Sequence, residues 1–477
     1  MCEGDATVRI SDIQRCEVRP GRLVEWRFSP ATIAAASALP ADPRPPAYIQ
    51  ESHVRTARSV RADGLFVPTW LGTAFDLPGR ADLDALERAL RSWTVRHETL
   101  RSGFRWAGDE LHRFTLAEHD VSLHREVIGD FTDAEALVRY LQARFDVAAD
   151  ALGWPNLIYA AVVRDDSTSV YAVFDHTNVD AYSLHRIPEE IHDLYTAGIT
   201  GQPIIRARVG SYVDFCEQER ADADGIDDTH AIVARWREFI GRCDGRLPEF
   251  PVDLGLQPGS ALPVQKLMRE PLLDADAAAA FEERCRPYGG SLVGLLAATA
   301  VIVHELGGHP YYRTVVPFHT RLKTAWSDSV GWYVGGAPIE VPATRNFDDA
   351  LTAVRAELRA NRSLARIPLA RVLRLLGADF RPRSPDMYSI VSYVDARPLP
   401  GSAHWTEQKA YGLIRVSHGD QVCVWVNRLH EGLWLACRYP DTGVARTNVR
   451  RYVEGLRDLI TSVSARDGLR AAEPVFS

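Results

Sequence analysis

The chain is 477 residues long and 46% of them are hydrophobic; since single cores stop growing near roughly 250 to 300 residues, two domains are expected. A net charge of -8 leaves no overall basic surface for nucleic acid or an anionic membrane, and 25% charged residues argue against extensive disorder. Seven cysteines, scattered and without CxxC or metal-type spacing, fit reduced thiols in a cytoplasmic protein rather than a disulfide framework or a metal cluster.

Met1 to Arg19 carries early acidic residues and no apolar stretch of the signal-peptide kind, so cytoplasmic localisation is again the expectation. Pro40, Pro43, Pro45 and Pro46 make a stiff entry to a helix from Tyr48 to Ala57. Leu83, Leu86, Leu90 and Trp93 recur at helical spacing and run into Arg96-His97-Glu98-Thr99-Leu100-Arg101. Strands are predicted at Leu157 to Val163 and Val170 to Phe174, joined by a polar turn, with a helix from about Tyr182 to Tyr195 closed by Gly198. Pro203 to Gly210 reads as a connector, which divides the chain into an N-terminal lobe, 1-205, and a C-terminal lobe, 206-477. In the second half a helix is expected at Leu292 to Leu306, its apolar run too short to span a membrane. Strands are expected at Tyr311 to Val316, Tyr388 to Val394, Gly412 to Ser417, Gln421 to Leu429 and Gly432 to Tyr439, before a closing helix from Asn448 to Ser464. Helices mixed with sheets in both halves indicate an α/β sandwich built twice.

Two local patterns invite a functional reading and fail it. In His304-Glu305-Leu306-Gly307-Gly308-His309 the histidines are five apart instead of four, so they do not share a helical face, and the paired glycines would end the helix between them. Arg96-His97-Glu98 is a run of consecutive residues, whose side chains diverge and cannot converge on one atom. The G-x-S-x-G elbow, the Walker loop and a strand-associated G-x-G-x-x-G are all missing, and no metal site is predicted.

The stretch Asp175-His176-Thr177-Asn178-Val179-Asp180-Ala181 is different, because it lies where a buried strand ends and a helix begins, the kind of junction at which loops carry chemistry. Strand alternation sends Val170, Ala172, Phe174 and His176 one way and Asp175 the other. An imidazole leaving an apolar face has to find a partner or serve a cavity, and its ordinary pKa near ~6.5 suits it to take a proton. Asp175, pointing away, is poorly placed to orient it. Asp180 at the mouth of the helix needs a cation or backbone donors, and the plausible cations lie in the distant loop Pro317-Phe318-His319-Thr320-Arg321.

Asp175-His176-x-x-x-Asp180-Ala181 resembles the HHxxxDG motif of the condensation-domain and acyltransferase superfamily, which includes chloramphenicol acetyltransferase, the condensation domains of nonribosomal peptide synthetases and the polyketide-associated Pap acyltransferases. Pro46-Ala47-Tyr48-Ile49-Gln50-Glu51-x-His53 is similar to the opening motif of Pap-type members, and Arg96 to Arg101 to their RHExLR motif. Thr320-Arg321 and Ser329-Val330-Gly331-Trp332-Tyr333-Val334 resemble the arginine loop and the VGxFxN segment of the second half. The likeness runs essentially from Tyr48 to Tyr452, and the closest flavour is that of Pap enzymes acylating trehalose-type lipid precursors.

That resemblance implies two chloramphenicol-acetyltransferase-like α/β lobes in a V-shaped pseudo-dimer with a central tunnel. It implies an acyl donor carried as a phosphopantetheine thioester, on a carrier protein or coenzyme A, with no bound cofactor, and a small-molecule acceptor bearing a hydroxyl or amine. His176 would be the general base, and Asp180 a structural partner of Arg321 that fixes the loop. Asp175, Ala181, Gly331, Trp332 and Tyr393 are the further motif and tunnel candidates. The chain departs from the motif where Asp175 stands for the first His, where Ala181 stands for Gly, and where Gly335 or Gly336 stands near a common Asn. Ala181 therefore has to avoid a positive φ. The leading reading is a free-standing acyltransferase forming an ester in lipid or natural-product biosynthesis. An amide-forming enzyme, or a non-catalytic module docking carrier proteins, is the alternative.

Overall fold

The computed structural model describes residues 10–470 except 203, 205, 258, 260, 308 and 386–388. The start of the strand expected at Tyr388, Pro203 in the expected connector, Gly308 in the histidine decoy, Cys2 and the first nine residues of the N-terminal stretch therefore lie outside the described residues. The chain forms two compact units.

The first unit runs to Ile226 and includes two later segments, His319–Tyr333 and Pro398–Arg415. Its sheet has seven strands in the order Ile10–Ser11, Tyr411–Ile414, Leu71–Pro78, Ser167–Phe174, Leu157–Val163, Gly21–Phe28 and Leu123–Phe131. Leu157–Val163 and Ser167–Phe174 form an antiparallel hairpin in which Leu157 faces Phe174 and Val163 faces Thr168. The polar residues between them close the turn, with the Arg164 N–H donating to the Ser167 carbonyl at 3.0 Å. Every residue of Leu157–Val163 is buried, which is why this strand reads as a continuous apolar run rather than an alternation. Against the sheet lies the helix Ala181–Thr200, which packs on the helix Leu83–Arg96.

Several boundaries differ from those read in the sequence. The helix after the His motif continues to Thr200 and ends at Gly201, whose φ of 69° is the left-handed cap that glycine adopts at least cost. Gly198 instead lies inside the helix, where an added Cβ would sit 3.6 Å from Ala85. The helix starting at Tyr48 runs to Ala62. Strands Gly21–Phe28, Leu71–Pro78 and Leu123–Phe131 and the helix Ala134–Ala148 were not anticipated. The strand expected at Gly412 to Ser417 spans Tyr411–Ile414 and pairs with Leu71–Pro78 in the first unit's sheet, although it comes late in the chain.

The second unit comprises Asp227–Phe318, Val334–Arg397 and Val416 onward. Its six-stranded sheet has the order Val334–Pro342, Tyr311–His319, Ile390–Asp395, Cys423–Leu429, Gly432–Pro440 and Gln265–Asp274. The helix Ser291–Gly307, buried from Val293 to Val303, packs with the helices Ala275–Cys285 and Gly443–Arg470 into the core of this unit. Gly294 makes that packing possible, since a Cβ there would come within 2.3 Å of the Cys285 sulfur and 2.6 Å of the Phe281 ring. Among the described residues no single helix is long and apolar enough to cross a membrane.

Candidate active site

The strand Ser167–Phe174 delivers Asp175 to a loop that is bonded at nearly every residue. The Asp175 N–H donates to the Asn156 carbonyl at 2.8 Å, and its own carbonyl accepts from the Asn178 N–H at 3.1 Å. One carboxylate oxygen, Oδ1, accepts from the Thr177 N–H at 2.9 Å and the Thr177 hydroxyl at 2.6 Å, an Asx-turn that folds the loop back on itself. The Asn156 amide reaches Thr177 Oγ1 at 3.1 Å, and the Gln50 amide donates to the Thr177 carbonyl at 2.7 Å. The other oxygen of Asp175, Oδ2, lies 3.0 Å from Nε2 of His53. Burial alone would raise the Asp175 pKa, but His53 and the Thr177 donors outweigh it and hold the carboxyl below its ordinary value.

His176 projects from this loop with its ring stacked on Trp332, the centroids 3.8 Å apart and the planes 24° from parallel. His53 stands edge-on to both, 6.3 Å from His176 and 5.5 Å from Trp332. His176 as a residue is half-buried, and its Nδ1 is enclosed and meets no hydrogen-bond partner on another residue. Burial first, and the neighbouring His53 second, push the His176 pKa down to about 4; its own carbonyl, Asp175 and Asp180 pull the other way without prevailing. The imidazole is thus neutral at neutral pH, with a lone pair available to accept a proton.

Asp180 caps the helix Ala181–Thr200, its Oδ1 accepting from the Ser183 N–H at 2.7 Å and the Ser183 hydroxyl at 2.8 Å. The Arg321 guanidinium donates to the same carboxylate through both terminal nitrogens, at 2.7 and 3.0 Å. A third element joins here, the Tyr333 N–H at 3.1 Å from Asp180 Oδ2. Arg321 is sandwiched by aromatic faces, 4.3 Å from the Tyr333 centroid and 4.9 Å from that of Tyr182. Burial opposes ionisation of Asp180, yet Arg321 and Ser183 keep its carboxyl below the usual range.

The segment that carries Trp332 is fixed by the same hub. The Gly331 carbonyl accepts from the Ser183 hydroxyl at 3.0 Å, and the Trp332 carbonyl from the Tyr212 hydroxyl at 2.9 Å. Gly331 passes so close to Tyr212 that a Cβ would lie 2.4 Å from its Cγ. Asp175, His176, Asp180, Ala181, Arg321, Gly331 and Trp332 therefore all lie in the first unit. Tyr393 does not: it lies on Ile390–Asp395 in the second unit, against that unit's core, where burial pushes its hydroxyl up to about 12. Ala181 opens its helix and is not among the positive-φ residues, which outside glycine are Asp244 and Lys409 among those described. The RHExLR segment diverges as expected, His97 Nε2 meeting Glu190 at 2.8 Å while Glu98 pairs with Arg44.

Two contacts went unread in the sequence. Gln50 and His53 both touch the His176 loop, and their three-residue spacing on the helix Tyr48–Ala62 places them on one face. That spacing was the available signal, although it does not say which loop the face meets.

A family profile described as the condensation domain matches residues 71–393. Trehalose-2-sulfate acyltransferase PapA2 of Mycobacterium tuberculosis is 30% identical over 456 residues, covering 92% of this chain and 94% of that protein. The 2'-acyl-2-O-sulfo-trehalose (hydroxy)phthioceranyltransferase PapA1 of Mycobacterium bovis is 28% identical over 465 residues, covering 96% and 89%. The solved structure of a PapA2 acyl transferase superposes with a TM-score of 0.88 at 27% identity, over 96% of this chain and 99% of that one. The condensation domain from the Monacolin K polyketide synthase MokA shares the fold, with a TM-score of 0.66 at 18% identity over 88% and 97%.

Proposed function

The chain belongs to the condensation-domain family and is an acyltransferase of that type; from this we propose that His176 is its general base, transferring an acyl group from a thioester to a hydroxyl. The observation that carries the reading is the His176 ring held against Trp332 at the end of a buried strand, with Nδ1 enclosed and without a partner on another residue. In the proposed step Nε2 takes the proton of the acceptor hydroxyl as its oxygen attacks the thioester carbonyl. The tetrahedral adduct then collapses, the carbon–sulfur bond breaks, and the departing thiolate receives the proton from His176. Thioester and alcohol become ester and thiol, with the imidazole restored.

Asp180 and Arg321 do not touch the reacting atoms in this scheme; they hold the loop and the Trp332 segment in register. The donor is a phosphopantetheine thioester, carried by coenzyme A or an acyl carrier protein. The acceptor is a sugar hydroxyl, the kind of group that the names of the two relatives assign to them, sulfated trehaloses. The ester-forming reading is tested by incubating the purified protein with acyl-CoA or loaded carrier protein and trehalose-type acceptors. Thiol release and ester are followed together. Positioned proton transfer is worth about 10²- to 10⁴-fold, so His176→Ala should lose turnover by that factor. Full activity in that variant would remove His176 from the mechanism, and tight carrier binding without turnover on any acceptor would favour a docking module instead.

A further inference from the structure

The reacting imidazole has a neighbour that the mechanism above does not use. His53 comes from the helix Tyr48–Ala62, far from the His motif in sequence, yet its Nε2 is 3.0 Å from Asp175 Oδ2 and its ring stands edge-on to Trp332 at 5.5 Å. Asp175 is fully buried and its other oxygen is occupied by Thr177. A buried carboxylate of this kind must be paired, and His53 is the side chain that completes its set. The His53 side chain is 15% exposed against 1% for Asp175, so the pair has one end in the interior and one near the surface.

We propose that His53 is a positioning residue for acyl transfer: Asp175 orients the His53 ring, its edge braces Trp332, and Trp332 in turn holds the plane of His176. This chain has a carboxylate in place of an imidazole immediately before His176, and that carboxylate recruits an imidazole from another helix. Gln50, one turn earlier on the same face, grips the Thr177 carbonyl at 2.7 Å, so one helix supports the loop on both sides of His176. The inference rests on His176 being the base.

Two substitutions separate the two contacts. His53→Gln places an amide nitrogen where Nε2 stands and keeps the hydrogen bond to Asp175, but removes the ring from Trp332. His53→Phe keeps a ring there and leaves Asp175 without its partner. Each is to be measured for kcat and KM of donor and acceptor, beside His176→Ala. The expected result is a fall in kcat of roughly 10- to 100-fold in both variants with KM changed less than about twofold, since a positioning residue leaves substrate binding alone.

The groups bearing on His176 are His53, Asp175 and Asp180, of which only His53 disfavours its protonation. In His53→Gln the acid limb of the kcat/KM profile, and the His176 titration followed by NMR in folded protein, should therefore move to higher pH. A merely structural role would not set that direction. Wild-type kcat in both variants with His176→Ala inactive would overturn the inference alone, as would a His176 titration unmoved in His53→Gln. Full activity in His176→Ala would overturn the general-base reading beneath it.

Discussion

The Asp180 carboxylate receives both terminal nitrogens of Arg321, at 2.7 and 3.0 Å, with the two side chains only 4% and 3% exposed. A bidentate pair taken this far out of water is costly to break, because removing one partner strands the other as an unpaired buried charge. Arg321→Ala or Asp180→Asn should each destabilise the protein by about 3–5 kcal/mol in denaturant unfolding. Arg321→Lys, which keeps the charge and loses the fork, should fall between these variants and the wild type. Losses below about 1 kcal/mol in the single variants would mean that the pair is solvated in solution.

Ala181 stands where the related motif has glycine, and it opens the helix Ala181–Thr200. Nothing there calls for a positive φ, so restoring glycine adds only unfolded-state entropy. Ala181→Gly should cost about 0.5–1 kcal/mol and leave kcat per folded molecule unchanged. An increase in turnover would show instead that the methyl group obstructs a substrate.

His185 is buried at 5% exposure with its ring stacked on Trp405, 5.2 Å between centroids. Burial pushes its pKa down to about 4. Between the ordinary imidazole value near ~6.5 and about 4 the unfolded chain takes up a proton that the folded chain refuses, so stability present above that window is lost as pH falls through it. The loss due to this one group is about 3 kcal/mol once pH is below both values. His185→Phe keeps a ring against Trp405 and removes the titration; its urea midpoint should change less than that of the wild type between pH 7 and pH 4.5. Parallel pH dependences in the two proteins would refute the assignment.

How much of this was legible in the sequence depends on how local each feature is. The strand–loop–helix around His176 was readable because apolar runs, a polar turn and a helix start are written in neighbouring residues. Strand alternation also placed Asp175 away from His176, and the structure turns it toward His53. Arg321 meets Asp180 across 141 residues of sequence, a contact that periodicity cannot report: the need of a buried carboxylate for a cation pointed to the loop 317–321, and the resemblance singled out Arg321. The same holds for Tyr411–Ile414, whose pattern says strand but not which sheet it joins. Gly198 looked like a helix terminator, yet its neighbours continue the helix to Gly201, where the backbone turns left-handed. The aromatic stack of Trp332 on His176 had no sequence signature, since Gly331 and Tyr212 that shape it lie in different segments.

The depressed pKa of His176, about 4, has a kinetic counterpart. The base form is the neutral ring, present above its pKa, so kcat/KM should hold nearly constant from pH 7 to about pH 5 and fall on the acid side near pH 4. The measurement is a pH–rate profile with a thioester donor, restricted to the range in which the protein remains folded. A midpoint at the ordinary imidazole value would mean that the ring is more hydrated than its enclosed Nδ1 indicates.

Gly331 offers the most direct test of whether the Trp332 segment must stay in place. A Cβ at this position would lie 2.4 Å from Tyr212 Cγ and 2.8 Å from Tyr333 Cε2, well inside contact distance. Both rings are buried, at 1% and 0% exposure, and packed on each other at 4.7 Å, so neither can swing aside and the backbone has to move. That displacement would pull Trp332 off the face of His176 and stretch the bond from Ser183 to the Gly331 carbonyl. Gly331→Ala should therefore cost about 1–3 kcal/mol as overpacking, and a misplacement of the base by about 1 Å can cost up to 10²-fold in kcat. Tyr212→Phe removes only the hydroxyl that holds the Trp332 carbonyl and should cost about 0.5–1.5 kcal/mol, with a smaller loss of kcat. If Gly331→Ala instead melts and turns over like the wild type, the segment relaxes freely and Trp332 cannot be what holds the imidazole.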